Sequence, residues 1–214
     1  MTWYTMDVVG SKTKKNRGAE MNNEKQYLTC AETAKLVRAA LKESFPGVKF
    51  SVRSSVYSGG ASIRVGYTDG PTSDEVNAVA KTFEGAYFDG MIDYKGCVYH
   101  EINGKSVRMG ANFVFVNRSF SDPVIQSAID EVYEKLEGNF KDENTPKPTV
   151  EDFKMGRTWG LKISGGFGSN AVQREIHQTL AAKSLYNKRK KSAVLAQVSI
   201  VGNDGYSKAY GSGF

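Results

Sequence analysis

Two Thr-x-x-Glu tetrads, Thr29–Glu32 and Thr72–Glu75, bracket a hairpin signature, and together they constrain the fold more than any other feature of the chain. In each, the threonine hydroxyl and the glutamate carboxylate can satisfy orphan backbone donors at a helix start, the reciprocal arrangement of a capping box. After the first tetrad, Ala34, Leu36, Val37, Ala40 and Leu41 recur at helical spacing up to Phe45, and Pro46-Gly47 stops the helix. Val48, Phe50 and Val52 then alternate with Lys49, Ser51 and Arg53, the period of a half-buried strand. A turn at Ser58-Gly59-Gly60 leads into Ala61, Ile63, Val65 and Tyr67, which alternate with Ser62, Arg64 and Gly66, so the two runs read as a hairpin. Asp69-Gly70-Pro71 closes that unit. The second tetrad then opens a helix with Val76, Val79, Ala80 and Phe83 on its apolar face.

Further along, Tyr87 to Tyr94 reads as a strand, the region near Gly96–Lys105 as a loop, and Val107 to Val116 as another strand. In that strand Met109, Ala111, Phe113 and Phe115 form the apolar side. Ser121-Asp122-Pro123 starts a third helix, with proline in its first turn, striped by Val124, Ile125, Ala128, Ile129, Val132, Tyr133 and Leu136. The order α-β-β-α-β-β-α predicts an α+β domain over 27–138, an antiparallel four-stranded sheet with helices on one face. Residues 1–26 read as an N-terminal arm. Residues 139–150 read as a linker, charged and carrying two prolines in Lys141–Val150.

Residues 151–214 have a different character: a β-α-β-like, basic, Gly- and aromatic-rich extension. Trp159, Leu161 and Ile163 suggest a strand. A helix with Val172, Ile176, Leu180 and Leu185 on one face comes after the Gly165–Ser169 loop and ends at Lys188-Arg189-Lys190-Lys191, where cations favour the helix dipole. Val194 to Val201 is a last strand, and the Gly-, Ser- and Tyr-rich tail is expected to be disordered.

Charge divides along the same lines. Residues 1–26 carry 5 basic against 3 acidic side chains (+2), residues 27–146 carry 13 against 16 (−3), and residues 147–214 carry 11 against 4 (+7). A basic end on a slightly acidic body implies either an anionic partner, nucleic acid first among them, or a self-repelling, solubilising tail. No apolar run approaches the ~20 residues of a membrane span, and the N-terminus places its basic residues after its short apolar run, the reverse of a secretory signal. Only Cys30 and Cys97 are present, which excludes a disulfide framework and fits a reducing cytoplasm.

The block from Tyr27 to Lys95 resembles the large polyvalent protein associated domain 29. The resemblance is carried by Tyr27–Ala34 (YLTCAETA), Phe45–Ser55 (FPGVKFSVRSS), Tyr57–Ile63 (YSGGASI), Thr68–Pro71 (TDGP) and Phe88–Asp93 (FDGMID). It implies a small α+β domain of phage and plasmid proteins, a mobile-element context, and no catalytic residues that could be transferred to this chain.

Candidate chemistry in the residues themselves is sparse. Cys97-x-x-His100 is half a zinc site, short of the four ligands a structural site needs. Cys30 lies in the first turn of a helix without a histidine nearby in sequence. Alternation would place Asp89 and Asp93 on one strand face, and Gly165–Ser169 lacks the lysine of a phosphate loop. No catalytic residue, metal or cofactor is expected. The basic and aromatic residues carry more: Arg53 and Arg64 on the polar side of the hairpin, with Trp159, Phe167, Arg174, Lys183, Tyr186, Lys188, Arg189, Lys190 and Lys191 in the extension. Cations track phosphates and aromatics stack on unpaired bases. The expectation is a cytoplasmic, non-catalytic mobile-element accessory protein that binds nucleic acid without sequence preference through its basic C-terminal segment. The alternative is a protein-binding anti-defence factor that inhibits a host nuclease or a CRISPR or restriction complex.

Overall fold

A computed structural model describes residues 26–142, 146–163 and 171–205; the expected arm up to residue 25, the Gly165–Ser169 loop and the tail beyond residue 205 lie outside them. Strand β1 (Gln26–Leu28) leads into helix α1 (Cys30–Ser44). Both halves of the capping box form there: Thr29 Oγ1 accepts from the Glu32 amide at 3.2 Å, and Glu32 Oε2 accepts from the Thr29 amide at 2.8 Å. Strands β2 (Ser51–Tyr57) and β3 (Gly60–Thr68) make the expected hairpin, with Val56 opposite Ala61 and Gly59 in the turn at φ 84°. The second capping box, Thr72 with Glu75, starts α2 (Ser73–Ala80), and a 3-10 turn at Lys81–Phe83 buries Phe83. Val37, Leu41 and Phe45 from α1, Ile63 and Val65 from β3, and Val76 and Val79 from α2 close the main core. Fully burying an apolar side chain of this size contributes ~1.5–3 kcal/mol.

The sheets differ from the single antiparallel sheet expected. Strands β4 (Ala86–Asp89), β5 (Tyr94–Ile102) and β6 (Lys105–Met109) form an antiparallel set that β1 extends in parallel beside β6. Strand β7 (Phe113–Ser119) leaves that set and pairs in parallel with β3, giving a separate three-stranded sheet in the order β2-β3-β7. Parallel neighbours need a long crossover, and α2 with β4–β6 supplies it. The stretch read as a loop near Gly96–Lys105 is mostly β5. Its side chains alternate poorly in polarity because it lies inside a sheet, with β4 and β6 pairing with different halves of it.

A break at Gly110–Asn112 splits the long strand expected over Val107–Val116. Gly110 sits where a Cβ would lie 2.2 Å from the Leu28 carbonyl oxygen and 2.7 Å from the Cys30 amide, so only glycine fits. The break reverses the inside–outside parity of β7: Val114 points into the core and Phe115 outward.

Helices α3 (Asp122–Lys135), α4 (Glu137–Asp142), α5 (Val150–Lys154) and α6 (Val172–Ala182) form a second unit with its own core. Ile125, Ile129 and Val132 of α3 meet Ile176 and Leu180 of α6, with Phe140 and Phe153 filling the ends. Part of the expected linker is thus helical, in α4. The extension is not β-α-β: Arg157–Gly160 is a 3-10 turn, and Lys162 makes only an isolated bridge with Ala171. After α6 the chain returns to the α/β body through a short helix α7 (Ala193–Ala196) and strand β8 (Val198–Asn203), which pairs antiparallel with β5. Tyr186, Val194, Leu195 and Val198 pack against the main core.

Arg118 ties the two units together. Its guanidinium donates to the carbonyls of Asp69 (3.1 Å) and Gly70 (3.0 Å) in the body, and of Leu180 (3.2 Å) and Lys183 (2.9 Å) at the end of α6.

Candidate functional site

The inner face of the three-stranded sheet packs against α1 and α2; on the outer face Arg53, Tyr57, Arg64 and Phe115 are exposed, while Ser62 between them is buried and Phe113 is half-buried. Register fixes what shares it. Arg53 on β2 stands directly opposite Arg64 on β3, and Arg64 stands beside Phe115 on β7. The neighbouring rows are Ser55–Ser62–Phe113 and Ser51–Gly66–Asn117, with Tyr57 at the hairpin end. Arg53 and Arg64 are exposed, Tyr57 is 51% and Phe115 49% exposed, and the Phe113 and Phe115 rings lie 6.3 Å apart. Like charges directly opposite on a sheet destabilise it, yet neither arginine has a carboxylate partner among the described residues.

A cleft of about 960 Å³ opens where this face ends. Ser51, Gly66 and Asn117 of the sheet form one wall, and Lys49, Arg118 and Tyr186 are among its other lining residues; no acidic side chain lines it. Its far side is built by the return segment. Leu185 N donates to the Gly70 carbonyl (2.8 Å), Lys190 N to the Ser44 carbonyl at the end of α1 (2.9 Å), and Ser192 Oγ to Glu43 (2.7 Å). These bonds hold Lys188, Arg189, Lys190 and Lys191 exposed beside α1, again without carboxylate partners among the described residues.

Sequence pattern places the basic run at a helix end, but α6 stops at Ala182. The backbone peels away because the Lys183 carbonyl accepts from Arg118 and the Leu185 amide donates to Gly70. The expected residues therefore divide. Arg53 and Arg64 share the outer sheet face, and Lys188–Lys191 are exposed beside the end of α1, outside the cleft lining. Tyr186 lines the cleft, with its hydroxyl donating to the Pro46 carbonyl (3.1 Å) and its ring edge-on to Phe45. Lys183 is turned toward Glu131 (3.5 Å). Trp159 and Arg174 belong to the helical unit, Trp159 near the His177 ring and Arg174 on the exposed side of α6. Phe167 lies outside the described residues.

Sequence reasoning misses Tyr57, Phe113 and Phe115 as surface aromatics, because unbroken alternation assigns the two phenylalanines to the core. The signal that could find them is Gly110-Ala111-Asn112, three residues poorly suited to a continuous strand.

Cys30 is buried, its Sγ 3.6 Å from the Ser62 carbonyl, and burial raises its thiol pKa. His100 is fully buried with Nε2 2.9 Å from the Thr82 carbonyl, and burial lowers its pKa. Asp89 and Asp93 do not share a strand face: Asp89 ends β4 and accepts from Met91 N, while Asp93 lies in the turn at φ 50°. One carboxylate with several partners, Asp204, is not foreseen by any motif. It accepts from the Tyr87 hydroxyl (2.6 Å), the Tyr94 hydroxyl (2.9 Å) and the Cys97 amide (2.9 Å), and this pushes Tyr94 up to about 12. Among the described residues, no group of three or more His, Cys, Asp or Glu could hold a metal ion, and no helix is long and apolar enough to cross a membrane.

An α/β body with a basic, aromatic outer sheet face, clasped to a small helical unit, is the class of protein these features define. Residues 28–121 match the family model of the large polyvalent protein associated domain 29. The match begins in β1 and ends at Ser121, the N-cap of α3, so it covers α1, α2 and β2–β7 and stops where the helical unit starts, without the returning α7 and β8. No curated protein and no solved structure matches the chain.

Proposed function

We propose that this protein binds nucleic acid without sequence preference, through the outer face of β2-β3-β7 joined to the basic segment 188–191. The observation that carries the reading is the Arg53–Arg64 pair. Two cations held opposite each other on the outer face, with no carboxylate partner among the described residues, are stabilised by a bound polyanion. The exposed run Lys188–Lys191, in no ion pair among the described residues, adds four cations on the return segment whose Leu185 and Tyr186 line the cleft. The domain family supports a mobile-element setting, in which a protein travelling with DNA has nucleic acid constantly at hand.

Counterion release gives the test. Binding of labelled nucleic acid to the full chain across a salt series should show log affinity falling linearly with log salt, by about 0.7–0.9 per phosphate neutralised. The double reversal Arg53→Glu/Arg64→Glu should flatten that slope by about two contacts. Point changes are preferable to truncation, because removing the return segment would take Tyr186, Val194 and Val198 away from the main core. Absence of binding, or affinity indifferent to salt, would favour the alternative of an anti-defence protein that blocks a nuclease or a CRISPR or restriction complex.

A further inference from the structure

We infer that the ligand is a single strand, laid across the sheet from Tyr57 to the cleft, with its bases unpaired against Phe115 and Phe113 and its phosphates between Arg53 and Arg64. This rests on the nucleic-acid reading above and deepens it. Cations alone do not distinguish a duplex from a single strand, because both present phosphates. The aromatic rings do. A ring lying in a sheet face can stack only on a base whose own face is free, and in a duplex those faces are covered by the neighbouring pairs.

The strip is also shaped for an extended chain. Phe115 lies in the same row as the two arginines, so a ring and a pair of cations are offered side by side. The next row has glycine at its centre: Gly66 stands between Ser51 and Asn117, and that row forms the wall of the cleft. The glycine leaves room between the sheet face and the cleft, whose lining continues to Lys49 and, on the return segment, to Leu185 and Tyr186.

Gly66 provides a test that does not depend on removing an attractive group. A Cβ there would meet only the Ser51 Cβ, at 4.0 Å, and no positive φ is involved. Gly66→Glu should fold as the natural chain does while placing bulk and negative charge across the path.

The experiment is fluorescence anisotropy of the full chain with a labelled oligothymidylate and, separately, a labelled duplex of equal length at one salt concentration. Far-ultraviolet circular dichroism and a thermal scan on every variant would confirm folding. The expected result is single-strand affinity at least about tenfold above duplex affinity. Phe115→Ala should weaken single-strand binding about tenfold, the loss of one stacked base, and leave duplex binding unchanged. Phe115→Tyr should restore single-strand binding, and Gly66→Glu should abolish it. Equal affinity for both forms, with Phe115→Ala and Gly66→Glu without effect, would overturn the single-strand path while leaving cationic binding standing. Failure of the natural chain to bind either probe would overturn both readings together.

Discussion

Each ion pair among the described residues, from Lys154–Asp122 to Lys183–Glu131, lies within the helical unit. On the sheet face and the return segment, Arg53, Arg64 and Lys188–Lys191 find no carboxylate among those residues. Exposed ion pairs contribute only ~0–1 kcal/mol, so the pairing does little for the stability of the helical unit. Its consequence is electrical: the unit presents neighbouring charges of both signs. The sheet face does the opposite. It accepts repulsion of up to ~1 kcal/mol between opposed like charges and leaves a positive field over exposed aromatic rings. Local rule-breaking of this kind, in a chain whose other signals agree, marks where binding is to be sought.

Breaking the connection between the two regions should have the largest effect. Arg118 is the charged donor to carbonyls on both sides, and a hydrogen bond from a charged group contributes ~1.5–3 kcal/mol. Because four such bonds share one side chain and do not add, Arg118→Ala should cost about 3 kcal/mol. It should also split chemical denaturation into two transitions, one for each core. A single transition at the natural midpoint would show that the units are held by other contacts.

Charge reversal on the sheet face should separate binding from stability. Arg64→Glu replaces the like pair with a cross-strand pair of opposite charges, Arg53 facing a carboxylate, so the fold should gain ~0.2–1 kcal/mol. Nucleic-acid affinity should fall at least about tenfold in the same variant, measured by anisotropy at low salt. A variant that loses both stability and binding would mean that Arg64 supports the sheet rather than a ligand.

The two histidines extend the comparison to pH. Desolvation lowers the pKa of both: His100 is fully buried in the body, whereas His177, on the exposed side of α6, is only partly desolvated. With the folded pKa below the unfolded value of ~6.5, the unfolded chain binds more protons below that pH, so stability falls as pH drops. The slope is at most ~1.4 kcal/mol per pH unit for each histidine. Above the carboxylate range of about 4, the loss on acidification should come mainly from His100; below it, carboxylates held low in the fold, such as Glu43 and Asp152, add their own loss. Denaturant midpoints above that carboxylate range should flatten in His100→Gln and change little in His177→Gln; the reverse would place the sensitivity in the helical unit.

Legibility in the sequence depends on how local each determinant is. Both capping boxes, the hairpin turn and the start of α3 depend on residues within a few positions of one another, and all form as expected. The sheet order does not. β5 lacks clean alternation because its flanks are set by distant strands, and β7 pairs with β3 only after the whole of α2 and β4–β6 has intervened. The site divides in the same way. Arg53 and Arg64 are legible because the hairpin register is local. Phe113 and Phe115 fall on the wrong face of a simple alternation because the parity change at Gly110 depends on the approach of the Leu28 carbonyl. The path of residues 183–191 is hidden for a similar reason: Arg118 and Gly70, far away in sequence, end the helix.

The smallest effect belongs to the helical unit, and it serves as the control for the rest. Lys135 lies 3.2 Å from Glu175 across the α3–α6 contact, with 66% of its side chain exposed. Lys135→Glu puts two carboxylates where a solvated pair stood, and at that exposure the cost should be about 0.5 kcal/mol. It lowers the net charge of the chain by the same amount as Arg64→Glu does. If affinity depended only on total charge, the two variants would weaken binding equally. If the sheet face is the site, Lys135→Glu should leave anisotropy titrations within about twofold of the natural chain, while Arg64→Glu shifts them about tenfold or more. Equal losses in the two variants would remove the reason for assigning binding to any one face.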